Sequence, residues 1–251
     1  KFHNSGYVKL INNMGKDLEK FKNKFFIEKE DLDKISSILK GKKMKRINLS
    51  LSSEDKISLE NIVKKKLSPV IEKLESYFGT DVFISSIKPI RIHHVEDGND
   101  LNTEHYANHF HQDAYLMLYH KIFINLMDID ESDGPLEVVP IENRSSFFKS
   151  FKYKSRNNYN INGDMNLIYK NIGKFGDCCL FSSPQILHRA GIPKSFRDLI
   201  QVILVATPKK YLEKSGEINE ESLLETVKPY LFSGIVKYLL ILKKFKKNYN
   251  S

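Results

Sequence analysis

Apolar positions along the chain repeat with two different periods. Between residues 52 and 80 they return every three or four residues, so Val63, Leu67, Val70, Ile71, Leu74 and Phe78 form one stripe. That is the spacing of an amphipathic helix. Ser52-x-x-Asp55 supplies its start and Gly79-Thr80 its stop. Pro69 is expected to kink or split it, because proline has no amide hydrogen for the preceding turn. From 82 to 95 the period drops to two, with Ile90, Ile92 and His94 alternating against Arg91, His93 and Val95. Lys121 to Pro140 reads as a strand, an acidic turn, and a second strand opened by Gly134-Pro135. Gly173 to Gly191 reads as a turn at Gly176-Asp177, a short apolar strand, a loop and His188. Arg197 to Pro208 reads as a closing strand with its basic residue at the mouth.

These elements predict a mainly β core with packed helices, in one domain over 1–251. Residues 1–80 are a helical N-terminal support, 81–208 the β core, and 209–251 a helical C-terminal extension. Within the core, 141–172 is rich in Asn and Lys with few strong apolar clusters. It reads as an insertion between strands and a candidate lid. No internal repeat is visible.

His111-Gln112-Asp113 is the segment that carries chemistry. On a strand, side chains at i and i+2 share a face, so His111 and Asp113 can point inward while Gln112 points away. A third ligand must then come from a distant strand, as His188 can. Two His and one carboxylate on one side of a metal leave open positions on the other, the facial arrangement of non-haem Fe(II) oxygenases. The competing reading of His111 and Asp113 is a buried, hydrogen-bonded structural pair. Other histidines add less. His109 shares the parity of His111 and is a candidate for the substrate pocket. His105 and His109 are four apart, but the segment leads into a strand and lacks H-E-x-x-H, which disfavours zinc. Arg197 carries a guanidinium fork suited to a carboxylate. Arg189 directly follows His188 and should point the opposite way. Arg91 is either a second cation in the pocket or one half of a surface pair.

The order H-x-D, G-P-L-x-V-x-P, a G-D before an apolar strand, a distal His and a later Arg resembles the phytanoyl-CoA dioxygenase-like family of Fe(II)- and 2-oxoglutarate-dependent oxygenases. The resemblance covers about residues 82 to 208. It implies a double-stranded β-helix, the jelly-roll of cupin-like proteins, with Fe(II) on His111, Asp113 and His188. It also implies 2-oxoglutarate as co-substrate, with its far carboxylate on Arg197, and dioxygen as the second reactant. Asn125 would either hydrogen-bond the co-substrate or cap a barrel end. Halogenating relatives replace the carboxylate of H-x-D with a small residue; Asp113 is present, which implies hydroxylation of an aliphatic C–H in a small molecule. The chain departs from the family at Ile141-Glu142-Asn143, where Gly-Ser-His is usual, and at Ala190, where a small hydroxyl residue is common. Two other readings stay open: a cupin-like metal enzyme that does not use 2-oxoglutarate, and a non-catalytic jelly-roll binding module.

Composition adds limits. The formal net charge is +9, mostly from Lys. A solvated surface accounts for it, although an anionic small-molecule substrate also fits. The lysines are not interleaved with an aromatic stacking platform, so no nucleic-acid partner is expected. Cys178 and Cys179 are the only cysteines, and adjacent cysteines cannot staple distant segments. A reducing cytoplasm fits best, and no secretory signal is visible. No apolar run is long enough to span a membrane. Lys228 to Lys247 is a basic amphipathic helix candidate. It would pack on its own barrel or on a second copy, the ordinary fate of such a helix, or sit on an anionic membrane surface as a peripheral contact.

Overall fold

A computed structural model describes residues 2–10, 14–29, 46–94, 107–113, 119–158 and 160–207. Nine strands occur among them: β1 (Tyr7–Leu10), β2 (Arg46–Asn48), β3 (Val82–His93), β4 (Tyr119–Asn125), β5 (Leu136–Val139), β6 (Tyr169–Lys170), β7 (Cys178–Phe181), β8 (Leu187–Ala190) and β9 (Phe196–Ala206). They form a six-stranded sheet in the order β1-β7-β4-β9-β3-β2 and a three-stranded sheet in the order β6-β5-β8. All pairings are antiparallel. From β4 onward the chain moves between the sheets, from the large to the small and back twice, which is the winding of a jelly-roll. The expected fold class is observed.

Strand parity sorts the large sheet into two faces. Ile122, Ile124, Cys178, Leu180, Ile200, Val202 and Leu204 point outward and join Leu59, Val63, Leu67 and Leu74 in the main apolar cluster. Those four belong to the helix Ser53–Phe78, which covers the outer face. The alternate positions point between the sheets. There Phe123 meets Cys179 and Phe181 from the large sheet, with Leu136, Val138 and Ile186 completing the cluster.

The helix starts and stops as its sequence predicts. Ser52 Oγ accepts a hydrogen bond from the Asp55 amide at 3.2 Å, and Gly79 closes it at φ 65°. Gly tolerates that left-handed conformation without strain. Pro69 does not split the helix, which runs unbroken from Ser53 to Phe78. Pro69 lies on the exposed side, where water can serve the freed carbonyl. An interior proline costs about 3 kcal/mol. Four buried aliphatic side chains, at roughly 1.5–3 kcal/mol each, outweigh it.

Two further expectations change. The N-terminal region is not only helical support, because β1 and β2 form the two edges of the large sheet. Strands of four and three residues are too short to show a period. The 141–172 segment is not poor in apolar clusters. Phe147 and Phe151, on and just after the short helix Arg144–Ser150, stack at 4.3 Å between ring centroids and are fully buried. They pack with Phe110, Val139, Ile168 and Leu187, and β6 within the segment pairs with β5. Much of it is therefore a built part of the domain. No helix among the described residues is long and apolar enough to cross a membrane. The predicted helix at 228–247 lies outside the described residues.

Candidate metal centre

His111, Asp113 and His188 come together, each offering one ligand atom, all within 4.8 Å of one another. The backbone sets this meeting. His188 lies in β8, and His111 forms a single antiparallel bridge with it. Their amides and carbonyls exchange hydrogen bonds of 3.0 and 2.9 Å. The Asp113 amide donates to the Ser183 carbonyl at 3.0 Å. The expected strand around His111 is reduced to that bridge, yet the i, i+2 relation still brings both side chains to the site.

The imidazoles are oriented as metal ligands require. His111 Nδ1 lies 2.7 Å from the His109 carbonyl and His188 Nδ1 3.2 Å from that of Ile186. A carbonyl only accepts, so both Nδ1 atoms carry the proton and both Nε2 atoms present a lone pair. Those Nε2 atoms face Asp113 Oδ1 at 3.7 and 3.8 Å. Burial, reinforced by the neighbouring His111, pushes the His188 pKa down to about 3. The ring is neutral at ordinary pH, the form that binds metal. Burial alone would raise the Asp113 pKa, but the Lys121 ammonium holds it below the usual carboxylate range. Two neutral nitrogens and one anionic oxygen on one side suit a divalent first-row metal with open positions.

Lys121 is the residue at this site that sequence reasoning missed. Its Nζ donates to Asp113 Oδ2 at 2.5 Å. It stands opposite Phe181 and Ile203 across β4, on the inner face. A lysine at the parity of Phe123 and Asn125 in "KIFIN" was the available signal.

The remaining predicted residues divide. Arg197 is buried at 2% exposure. It sits opposite Ile92, on the inner face, and its Nη1 donates to the Gly134 carbonyl. Asn125 lies on the same face opposite Leu199. Its Nδ2 is buried with no hydrogen-bond partner. Arg91 is not in this pocket. It sits opposite Asp198, on the other face of the sheet, and its Nε and Nη2 each donate to that carboxylate at 2.7 Å. Strand parity decides this, since the neighbours Arg91 and Ile92 must face opposite ways. His109 is buried but turns its Nδ1 to Asn157 Oδ1 at 3.1 Å; its carbonyl is what serves His111. Arg189 points away from His188, as expected, and pairs with Glu137 at 2.6 Å while lying over the Phe110 ring. The thiols of Cys178 and Cys179 are buried, which pushes both pKa values up, that of Cys178 to about 12. Neither is a nucleophile at neutral pH.

No protein-family model and no curated protein matches the sequence. The resemblance to the phytanoyl-CoA dioxygenase-like family therefore has no family match behind it. Among solved structures, the chain is similar to HygX from Streptomyces hygroscopicus with nickel and 2-oxoglutarate bound, at 15% identity and a TM-score of 0.48, covering 82% of this chain and 84% of that one. It is similar to the non-heme alpha ketoglutarate dependent epimerase SnoN from nogalamycin biosynthesis, at 13% identity and a TM-score of 0.46, covering 82% and 80%. It is also similar to EctD from S. alaskensis with 2-oxoglutarate and 5-hydroxyectoine, at 13% identity and a TM-score of 0.47, covering 82% and 73%.

Proposed function

We propose that this protein is an Fe(II)- and 2-oxoglutarate-dependent dioxygenase that hydroxylates an aliphatic C–H of a small molecule. The observation that carries the reading is the convergence of His111, Asp113 and His188 with both imidazole Nε2 atoms aimed at one carboxylate oxygen. The donor set fits Fe(II): three protein donors of nitrogen and oxygen type, without thiolate. The metal and co-substrate, when bound, would supply oxidative decarboxylation, turning 2-oxoglutarate and dioxygen into succinate, CO2 and one oxygen atom for the substrate.

The protein's own residues hold and shield that chemistry. The carbonyls of His109 and Ile186 keep each imidazole in the ligating tautomer. Arg197, on the inner face, is the anchor for the distal carboxylate of 2-oxoglutarate, since a guanidinium binds a carboxylate through two parallel bonds. Asn125 Nδ2, buried without a partner, is a donor for the same molecule. Phe123, Phe181 and Val138 line the space between the sheets and exclude water from it.

The test is anaerobic titration of 2-oxoglutarate into Fe(II)-loaded protein, followed through the metal-to-ligand charge-transfer band, then a metabolite screen for succinate release. Metal binding without that band or succinate favours a cupin-like enzyme that does not use 2-oxoglutarate. Failure to bind Fe(II) at all favours a binding module.

A further inference from the structure

Asp113 divides its two oxygens. Oδ1 faces the Nε2 atoms of His111 and His188 at 3.7 and 3.8 Å. Oδ2 is held by Lys121 Nζ at 2.5 Å. Both side chains are largely buried, at 14% exposure for Lys121 and 13% for Asp113. The Lys121 backbone is fixed in β4, with β7 paired on one side and β9 on the other.

Resting on the metal-centre reading above, we propose that Lys121 is a positioning residue that holds Asp113 to donation through one oxygen and keeps the affinity of the triad for a divalent cation low. Two neutral imidazoles, one carboxylate and one ammonium sum to zero charge. Without Lys121 the same donors sum to −1, and Oδ2 becomes available as a second donor. A dication prefers the anionic set, and at low effective dielectric the preference is large. Lys121 thereby leaves coordination positions to exchangeable ligands instead of to the protein. A role as simple scaffold for Asp113 predicts the opposite sign, because a loosened carboxylate would bind metal less well.

Calorimetric titration of Ni(II) into the full chain, wild type against Lys121→Met and Lys121→Arg, separates the two. Affinity should rise about tenfold or more in Lys121→Met, and Lys121→Arg should stay near wild type because it keeps charge and donor. Circular dichroism checks the fold; if Lys121→Met does not fold, Lys121→Gln is read in the same way. Wild-type binding with unchanged or weaker binding in Lys121→Met overturns the role of Lys121 alone. No Ni(II) uptake by wild type overturns the metal centre and this inference with it.

Discussion

His111 and His188 exchange backbone hydrogen bonds of 3.0 and 2.9 Å, so the two imidazoles are in register before any side-chain contact forms. Their ring centroids lie 4.5 Å apart. The backbone bridge does not depend on either imidazole. His111→Ala and His188→Ala should each therefore leave the domain folded, whereas Asp113→Ala, which strands the Lys121 ammonium, should also lower its stability; all three should weaken Fe(II) binding by about a hundredfold or more. Loss of a neutral partner that only orients a ligand already costs about 10–100-fold. Iron content after anaerobic loading, with circular dichroism as control, checks this. Full metal binding in any one variant removes that residue from the site.

Arg197 and Arg189 give opposite expectations. Arg197→Ala should weaken 2-oxoglutarate binding by roughly two to four powers of ten, the equivalent of about 3–5 kcal/mol for an unpartnered buried charge. Arg197→Lys should recover only part, because the fork is lost. Arg189→Ala instead strands Glu137, which it meets at 2.6 Å, and should lower folding stability while leaving co-substrate affinity near wild type. Charge-transfer titrations and urea denaturation of the variants separate the two effects. Selective loss of 2-oxoglutarate binding in Arg189→Ala would move the anchor.

The aromatic cluster around Phe147 should behave as core. Phe147→Ala removes a fully buried ring that contacts Phe110, Phe151 and Tyr153. It should cost about 3–5 kcal/mol, read from the urea midpoint. Amide exchange over Arg144–Phe151 should be slow and little changed by 2-oxoglutarate. Fast exchange that slows on binding would restore the lid.

His120 supplies a pH dependence remote from the metal. It is fully buried on the outer face against the rings of Phe2 and Phe78, and neither ring nitrogen has a hydrogen-bond partner. Burial pushes its pKa down from 6.5 to about 4. A group whose folded pKa is depressed binds its proton more readily in the unfolded chain. The stability it supports is therefore complete above about pH 6.5, falls as pH drops toward 4, and then levels. The loss is about 3 kcal/mol at 1.36 kcal/mol per unit. His120→Phe should flatten that part of the profile, measured as urea midpoints between pH 4 and 7. An unchanged slope would show that other groups carry it.

The elements legible without coordinates were those with a local cause. The helix from Ser53 to Phe78 follows from a repeating apolar stripe, a capping serine and a glycine stop. The strands carrying Asn125, His188 and Arg197 follow from apolar runs between turn signals, and strand parity correctly turned Arg189 away from His188. The three metal-ligand candidates were legible because their spacing and order resemble a known pattern. Tertiary structure decided what depends on partners far away in the chain. Arg91 was ambiguous until the pairing of β3 with β9 placed Asp198 opposite it. His109 found its Nδ1 partner in Asn157, and Phe147 became core through Phe110 and Phe151. Lys121 gained its meaning only when the fold set its ammonium on Asp113. A local pattern specifies which face a residue occupies, since backbone geometry alone repeats with a fixed period. What that face meets depends on which segments the two packed sheets bring together.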